Sequence, residues 1–186
     1  MPPKVTTTKD KIITTALQMV RESGADSINA RDLAAAIGCS TQPIFSNFAS
    51  MTELRLALVE RADELYRQYM QAEIEGGKYP VYKATGMAYI RFAKDEKELF
   101  KLLFMRDRTK ETYCVETKLN DQMNEVVQSA TGLDDSGAQL FHLEMWAVVH
   151  GIATMFATDY LDLDWDLVSK MLTDSYQGLR KQYGME

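Results

Sequence analysis

Apolar residues recur along this chain at intervals of three and four almost from end to end, and no stretch alternates with the period of a strand. The first stripe, Ile13, Ala16, Leu17 and Val20, predicts a helix over about 9–23 that stops at Gly24. A second, Leu33, Ala34 and Ile37, opens behind Asn29 as N-cap, with Asp32 set against the positive helix start, and closes at Gly38. The third is short. Ile44 and Phe48 face inward behind Ser40 as cap, and Pro43 sits in the first turn, where backbone donors have no intrahelical partner. Thr41, Gln42, Ser46 and Asn47 are left pointing outward. Ser50 and Glu53 then spell a capping box that opens a long helix to about Glu75, with Leu54, Leu58 and Leu65 inward.

Beyond Pro80 the periodicity continues. Tyr82, Gly86, Tyr89, Ile90 and Ala93 mark one helix, and Leu99 to Met105 a short apolar one. Residues 106–112 are polar and break the pattern. Leu119, Met123, Val126, Val127 and Ala130 mark a further helix, and residues 131–137 a turn that offers N-caps. The segment from about Ala138 to Thr158 is apolar nearly all round, so both of its faces must be covered, one by the chain's own core and the other open to a partner. Trp165, Val168, Leu172 and Leu179 stripe a terminal helix. The chain is therefore expected to be all-α, with about nine helices. A three-helix helix-turn-helix domain at 1–55 precedes a helical bundle at 56–186, the boundary falling inside the long helix.

The stretch from Asn29 to Leu54 carries the most specific chemistry. Two short helices joined by a glycine turn form a helix-turn-helix candidate. The uncharged outer side of the second helix offers Gln, Asn, Ser and Thr, which pair with base edges in a major groove. An ordinary helical hairpin would use the same caps and the same glycine. With the helix before it, however, the stretch resembles the DNA-binding domain of the TetR (tetracycline-repressor-like) family. The matching features are Ile13, Ala16, Leu17 and Gly24, the run Arg31-Asp32-Leu33-Ala34, then Gly38-Cys39-Ser40, Phe45, Phe48 and Leu54. The resemblance implies a sequence-specific, dimeric transcriptional regulator, more often a repressor, that binds a double-stranded operator and is released by a small-molecule effector. Ser40, Thr41, Gln42, Pro43, Phe45, Ser46 and Asn47 would lie at the DNA. Arg31, Ser50 and the backbone amides of Met51 and Thr52 would anchor phosphate, since helix starts attract anions. The sequence departs from the family at Gln42 and Pro43, where small residues are usual, at Phe45, usually tyrosine, and at Met51, usually lysine. Backbone contacts are expected to be weaker or differently distributed.

Charge qualifies this picture without overturning it. The net charge is −6 over 186 residues, but residues 1–50 carry five Lys/Arg against four Asp/Glu and the remainder sixteen against twenty-three. A near-neutral head with a local basic edge at Lys4, Lys9, Lys11 and Arg31 can still meet phosphate. Cys39 and Cys114 have neither metal-ligand nor disulfide spacing, which fits a reduced cytoplasm. The start of the chain lacks the apolar core of a signal peptide, and no apolar run is read as reaching membrane-spanning length. The polar arm of residues 1–8 is expected to be disordered when free.

In the second domain, Trp146-x-x-x-His150-Gly151 resembles a signature of one branch of C-terminal domains in the family. A mid-helix glycine suggests close approach of another helix or a ligand. His150 could touch a ligand, or it could be a hydrogen-bonded core histidine, and His142 and His150 lack a third metal ligand. Phe92, Phe100, Phe104, Met123, Phe141, Met145, Trp146 and His150 are the candidate lining of a ligand pocket, although the same residues also make plain core. Ala147, Gly151, Thr154 and Tyr176 are candidate dimer contacts. No cofactor is expected, and no motif of nucleophilic, phosphate-loop or zinc chemistry is present. The competing readings are a helical small-molecule-binding protein that has lost DNA binding and, further off, a helical enzyme using His142 or His150.

Overall fold

The computed structural model describes residues 7–106 and 116–185, with side chains in the second segment from residue 123 onward. The expected polar arm, apart from its last two residues, and nearly all of the polar stretch after Met105 lie outside the described residues. Among the described residues there are nine α-helices, one short 3-10 helix at Ala25–Ser27 and no strand, so the chain is all-α as expected. It forms two compact units, one of residues 1–66 with 96–106, the other of residues 67–95 with 107–186.

In the first unit, α1 (Lys9–Ser23) buries Ile12, Ile13, Ala16, Leu17 and Val20 on one side. It ends at Gly24, whose φ of 78° suits glycine alone. Asn29 caps α2 (Ala30–Ile37) as expected, its Oδ1 accepting from the N–H groups of Arg31 and Asp32 at 3.1 and 3.0 Å. Gly38 ends that helix in the left-handed region, and the Ala34 carbonyl accepts from the N–H groups of both Gly38 and Cys39. The next helix, α3, runs from Gln42 to Asn47 and buries Ile44. The expected cap at Ser40 is not formed. The residue preceding the helix is Thr41, whose backbone is already helical, so its side chain makes no capping bond.

The long helix α4 (Met51–Glu75) begins and ends where expected. Ser50 Oγ accepts from the Glu53 N–H at 3.2 Å, but the Glu53 carboxylate reaches past Ser50 to accept from Ala49 N–H. Its buried stripe is Leu54, Leu58, Ala62 and Tyr66. Leu65, expected inward, is half-exposed because a strict interval of four carries the stripe one position further. The helix α6 (Lys97–Phe104), read from sequence as part of the second domain, belongs to the first unit. The reason is local. Arg21 of α1 makes two bonds of 2.7 Å to the Glu96 carboxylate, Leu99 and Phe100 are fully buried, and Phe104 meets the Tyr66 ring edge-on.

The second unit is a bundle of α5 (Val81–Asp95), α7 (Glu116–Thr131), α8 (Asp135–Ala157) and α9 (Trp165–Gln182), with the end of α4. Asp134 caps α8 through the Gly137 N–H, and Asp164 caps α9. Gly86 lets α5 close on its neighbours. A Cβ there would stand 3.3 Å from Val149 and 3.4 Å from Leu172, nearer than side chains normally approach. Lys83 ties α5 to α9 by donating to Ser169 and Thr173 hydroxyls at 2.7 and 2.8 Å. By length and composition α8 is apolar enough to cross a membrane, which corrects the expectation that no run reaches that length. Its Phe141, Met145, Val149, Ile152 and Phe156 are buried, and it packs on α5, α7 and α9 as a core helix of this bundle.

Candidate functional site

Two buried side chains decide what α3 presents. Ile44 and Phe48, four positions apart, anchor one side of the helix, and the residues two positions from Ile44, Gln42 and Ser46, are carried to the opposite side. Thr41, Gln42, Phe45 and Ser46 therefore share one exposed face. None is charged. Ser46 Oγ donates back to the Gln42 carbonyl at 2.9 Å, which leaves its lone pairs free to accept. Phe45 is 50% exposed.

Asn47 does not share that face, contrary to the outward orientation expected for it. Its amide donates to the Pro43 carbonyl at 2.8 Å and to the Thr7 carbonyl at 3.4 Å, pinning the residue that leads into α1. An asparagine near a helix end is drawn to local carbonyls, and the period of the helix alone did not reveal that Thr7 would be there. Ser40 is exposed and Pro43 half-buried. Around this face Arg31, Ser50 and Thr52 are exposed and Met51 is half-buried. Of the expected basic edge, Lys9 lies 4.0 Å from Glu53 and over the Phe48 ring, while Lys11 and Arg31 are exposed.

The candidate ligand residues divide between the units. Phe100 and Phe104 belong to the first, whereas Phe92, Met123, Phe141, Met145, Trp146 and His150 belong to the second. Phe92 stacks edge-on against Tyr69, and Phe141 against Tyr176 and Tyr183, so both rings are core. Met145 is buried with Phe141 and Val127, and Met123 is half-exposed. His150 is half-buried and hydrogen-bonded. Its Nδ1 is 2.8 Å from Tyr89 Oη, and Trp146 stacks on its ring. His142 repeats the arrangement with Tyr82 at 3.0 Å. Burial holds both imidazoles below their ordinary value and pushes the Tyr82 phenol well up. Among the described residues, no group of three His, Cys, Asp or Glu side chains could hold a metal ion.

The other side of α8 is unusual. Leu140, Leu143, Trp146, Ala147 and Gly151 all face out, three of them large and apolar. A Cβ on Gly151 would meet nothing within 4 Å, so among the described residues this glycine serves no close approach. Thr154 is half-buried and donates to the His150 carbonyl, and Tyr176 is turned onto Phe141.

Residues 82–175, just over half of the chain, match the model of the tetracyclin repressor-like C-terminal domain. This chain belongs to the TetR family of transcriptional regulators. Solved structures of TetR-family proteins share its fold over nearly their whole length. One from Rhodococcus sp. RHA1 superposes with a TM-score of 0.69 at 14% identity, covering 91% of this chain and 94% of that one. One from Vibrio parahaemolyticus gives 0.65 at 17%, over 91% and 96%. A third, from Streptomyces coelicolor A3, gives 0.64 at 16%, over 89% and 96%. No curated protein sequence matches the chain.

Proposed function

We propose that this TetR-family protein is a homodimeric repressor that reads a pseudo-palindromic operator through α3 and leaves it when a small molecule occupies the second unit. The observation that carries the reading is the uncharged exposed face of Thr41, Gln42 and Ser46, held out by two fully buried anchors. Such a face carries the donors and acceptors that match base edges. Ser40, Pro43 and Phe45 border the same contact. Arg31, Ser50 and the N–H groups of Met51 and Thr52 at the start of α4 supply the anion contacts. Two such faces, about 34–36 Å apart, enter successive major grooves.

The twofold contact uses the outer side of α8 with α9. Ala147 and Gly151 let the partner helix approach, Leu140 and Leu143 supply apolar area, and Thr154 borders it. Tyr176 contributes through its packing on Phe141. The proposed effector site lies in the second unit and draws on Met123, Met145, Trp146 and His150, with Phe92 and Phe141 as core rings behind it. The effector acts by preferring a conformation that binds DNA less well, and its effect equals its differential affinity for the two states.

Selection of duplexes from a random pool, followed by gel shift at stated salt, tests the central claim. A retained pseudo-palindrome supports it, and no retained duplex at low salt removes it. A small molecule found by thermal shift is then added to the complex. Unchanged operator affinity would remove the ligand switch alone. The competing reading, a helical small-molecule carrier that no longer binds DNA, is favoured by Phe45 and Met51, which lack the hydroxyl and the charge the family usually has there. It predicts ligand binding with an empty selection.

A further inference from the structure

Phe45 stands apart from its neighbours on α3. Ile44 and Phe48 on either side are fully buried, Asn47 is tied down by two carbonyls, and Thr41, Gln42 and Ser46 are polar and exposed. Phe45 alone on this outer face is large and apolar, and half of its surface meets water. Among the described residues no aromatic ring stacks on it and no cation lies over it. Its ring therefore contributes little to the core of the first unit.

A phenyl ring offers no donor to a phosphate oxygen and no acceptor to an exocyclic amine. Paired bases present only one prominent apolar group in the major groove, the C5-methyl of thymine. Gln42, three positions earlier, is a neighbour of Phe45 on the helix surface, so on a helix laid in the groove the two side chains can reach neighbouring base pairs. We infer that Phe45 is a specificity-determining residue that selects thymine through its C5-methyl group, next to the base pair read by Gln42. This rests on the proposed reading of α3 as the DNA-contacting helix. The phenyl replaces water over the methyl group, and the selection is made by burial of apolar surface rather than by hydrogen bonding.

The test uses the full-length dimer and a duplex chosen by the protein from a random pool. Each thymine in turn is replaced by deoxyuridine, which pairs identically and lacks only the methyl. For the unaltered protein, one thymine in each half-site is expected to lose about fourfold in affinity on replacement, the effect of exposing one buried methyl. Phe45→Ala, with its fold checked by thermal melting, is expected to bind the thymine and deoxyuridine duplexes within about twofold of each other. Duplex binding by the unaltered protein with no deoxyuridine-sensitive thymine overturns the inference whatever the variant does. So does equal sensitivity in Phe45→Ala, which places the ring against sugar or backbone instead. No retained duplex at all overturns the DNA reading itself, an outcome separate from these two.

Discussion

The two exposed faces of this molecule, one on α3 and one on α8, are built in opposite ways. The helix α3 is six residues long and buries only Ile44 itself, with Phe48 as its second anchor, yet what it leaves outside is uncharged and, apart from Phe45, polar. The helix α8 is 23 residues long and buries eight side chains, yet it leaves Leu140, Leu143 and Trp146 in contact with solvent. A short helix cannot hold itself together, so α3 depends on caps and neighbours, and its outer side is free to be chemically specific. A long core helix needs no such help and tolerates an apolar outer side, which is unfavourable in water until another surface covers it. The polar face suits a partner that offers donors and acceptors in a fixed pattern. The apolar face suits a copy of itself.

The sharpest way to break this contrast is to charge α8 on its outer side. Leu143→Glu is expected to weaken the proposed dimer by about 10²–10⁴-fold, because the loss of one buried leucine occurs twice across a twofold axis. Sedimentation against concentration reads this, and an unchanged dimer would move the interface elsewhere. On the opposite side of the same helix, Phe141→Ala removes a fully buried ring packed on Tyr176 and Tyr183. It is expected to lower stability by about 3–5 kcal/mol in urea denaturation. A cost under 1 kcal/mol would mean that the site collapses freely.

Next in size is Gln42→Ala, expected to lose about 1–3 kcal/mol of DNA affinity at one base-pair position while leaving the melting temperature alone. An equal loss on every sequence would reassign Gln42 to backbone contact. The smallest effect is one of pH. His142 and His150 have folded pKa values held down by burial, so the unfolded chain takes up protons first as the solution is acidified. Stability should be flat above about pH 6.5 and fall below it, and His142→Gln with His150→Gln should flatten the fall. A profile identical in the double variant would place the titration elsewhere.

Much of this architecture was legible because its punctuation is local. Gly24, Asn29, Gly38 and Ser50 act within one turn of chain, and the end of α1, both ends of α2 and the start of α4 fall close to where those residues predict. What depended on distant partners was not legible. Nothing in the sequence near Glu96 announces Arg21, so the packing of α6, with Phe100 and Phe104, into the first unit was not legible. Thr7 claims the amide of Asn47 from forty positions away in the chain. Core rings and pocket rings are the same residue types, and only the described contacts separate Phe92 and Phe141 as packing residues.

Gly86 leads further than its size suggests. It lies between Tyr82 and Tyr89 on α5, opposite Val149, the residue before His150. The width of that seam is set by an atom that is missing, and both tyrosine–histidine pairs straddle it. A methyl group inserted there would act as a shim, asking Val149 to yield a few tenths of an ångström. If Val149 holds its place instead, the seam has to widen, and the pair at 2.8 Å and the pair at 3.0 Å are strained together, through a residue with no side chain.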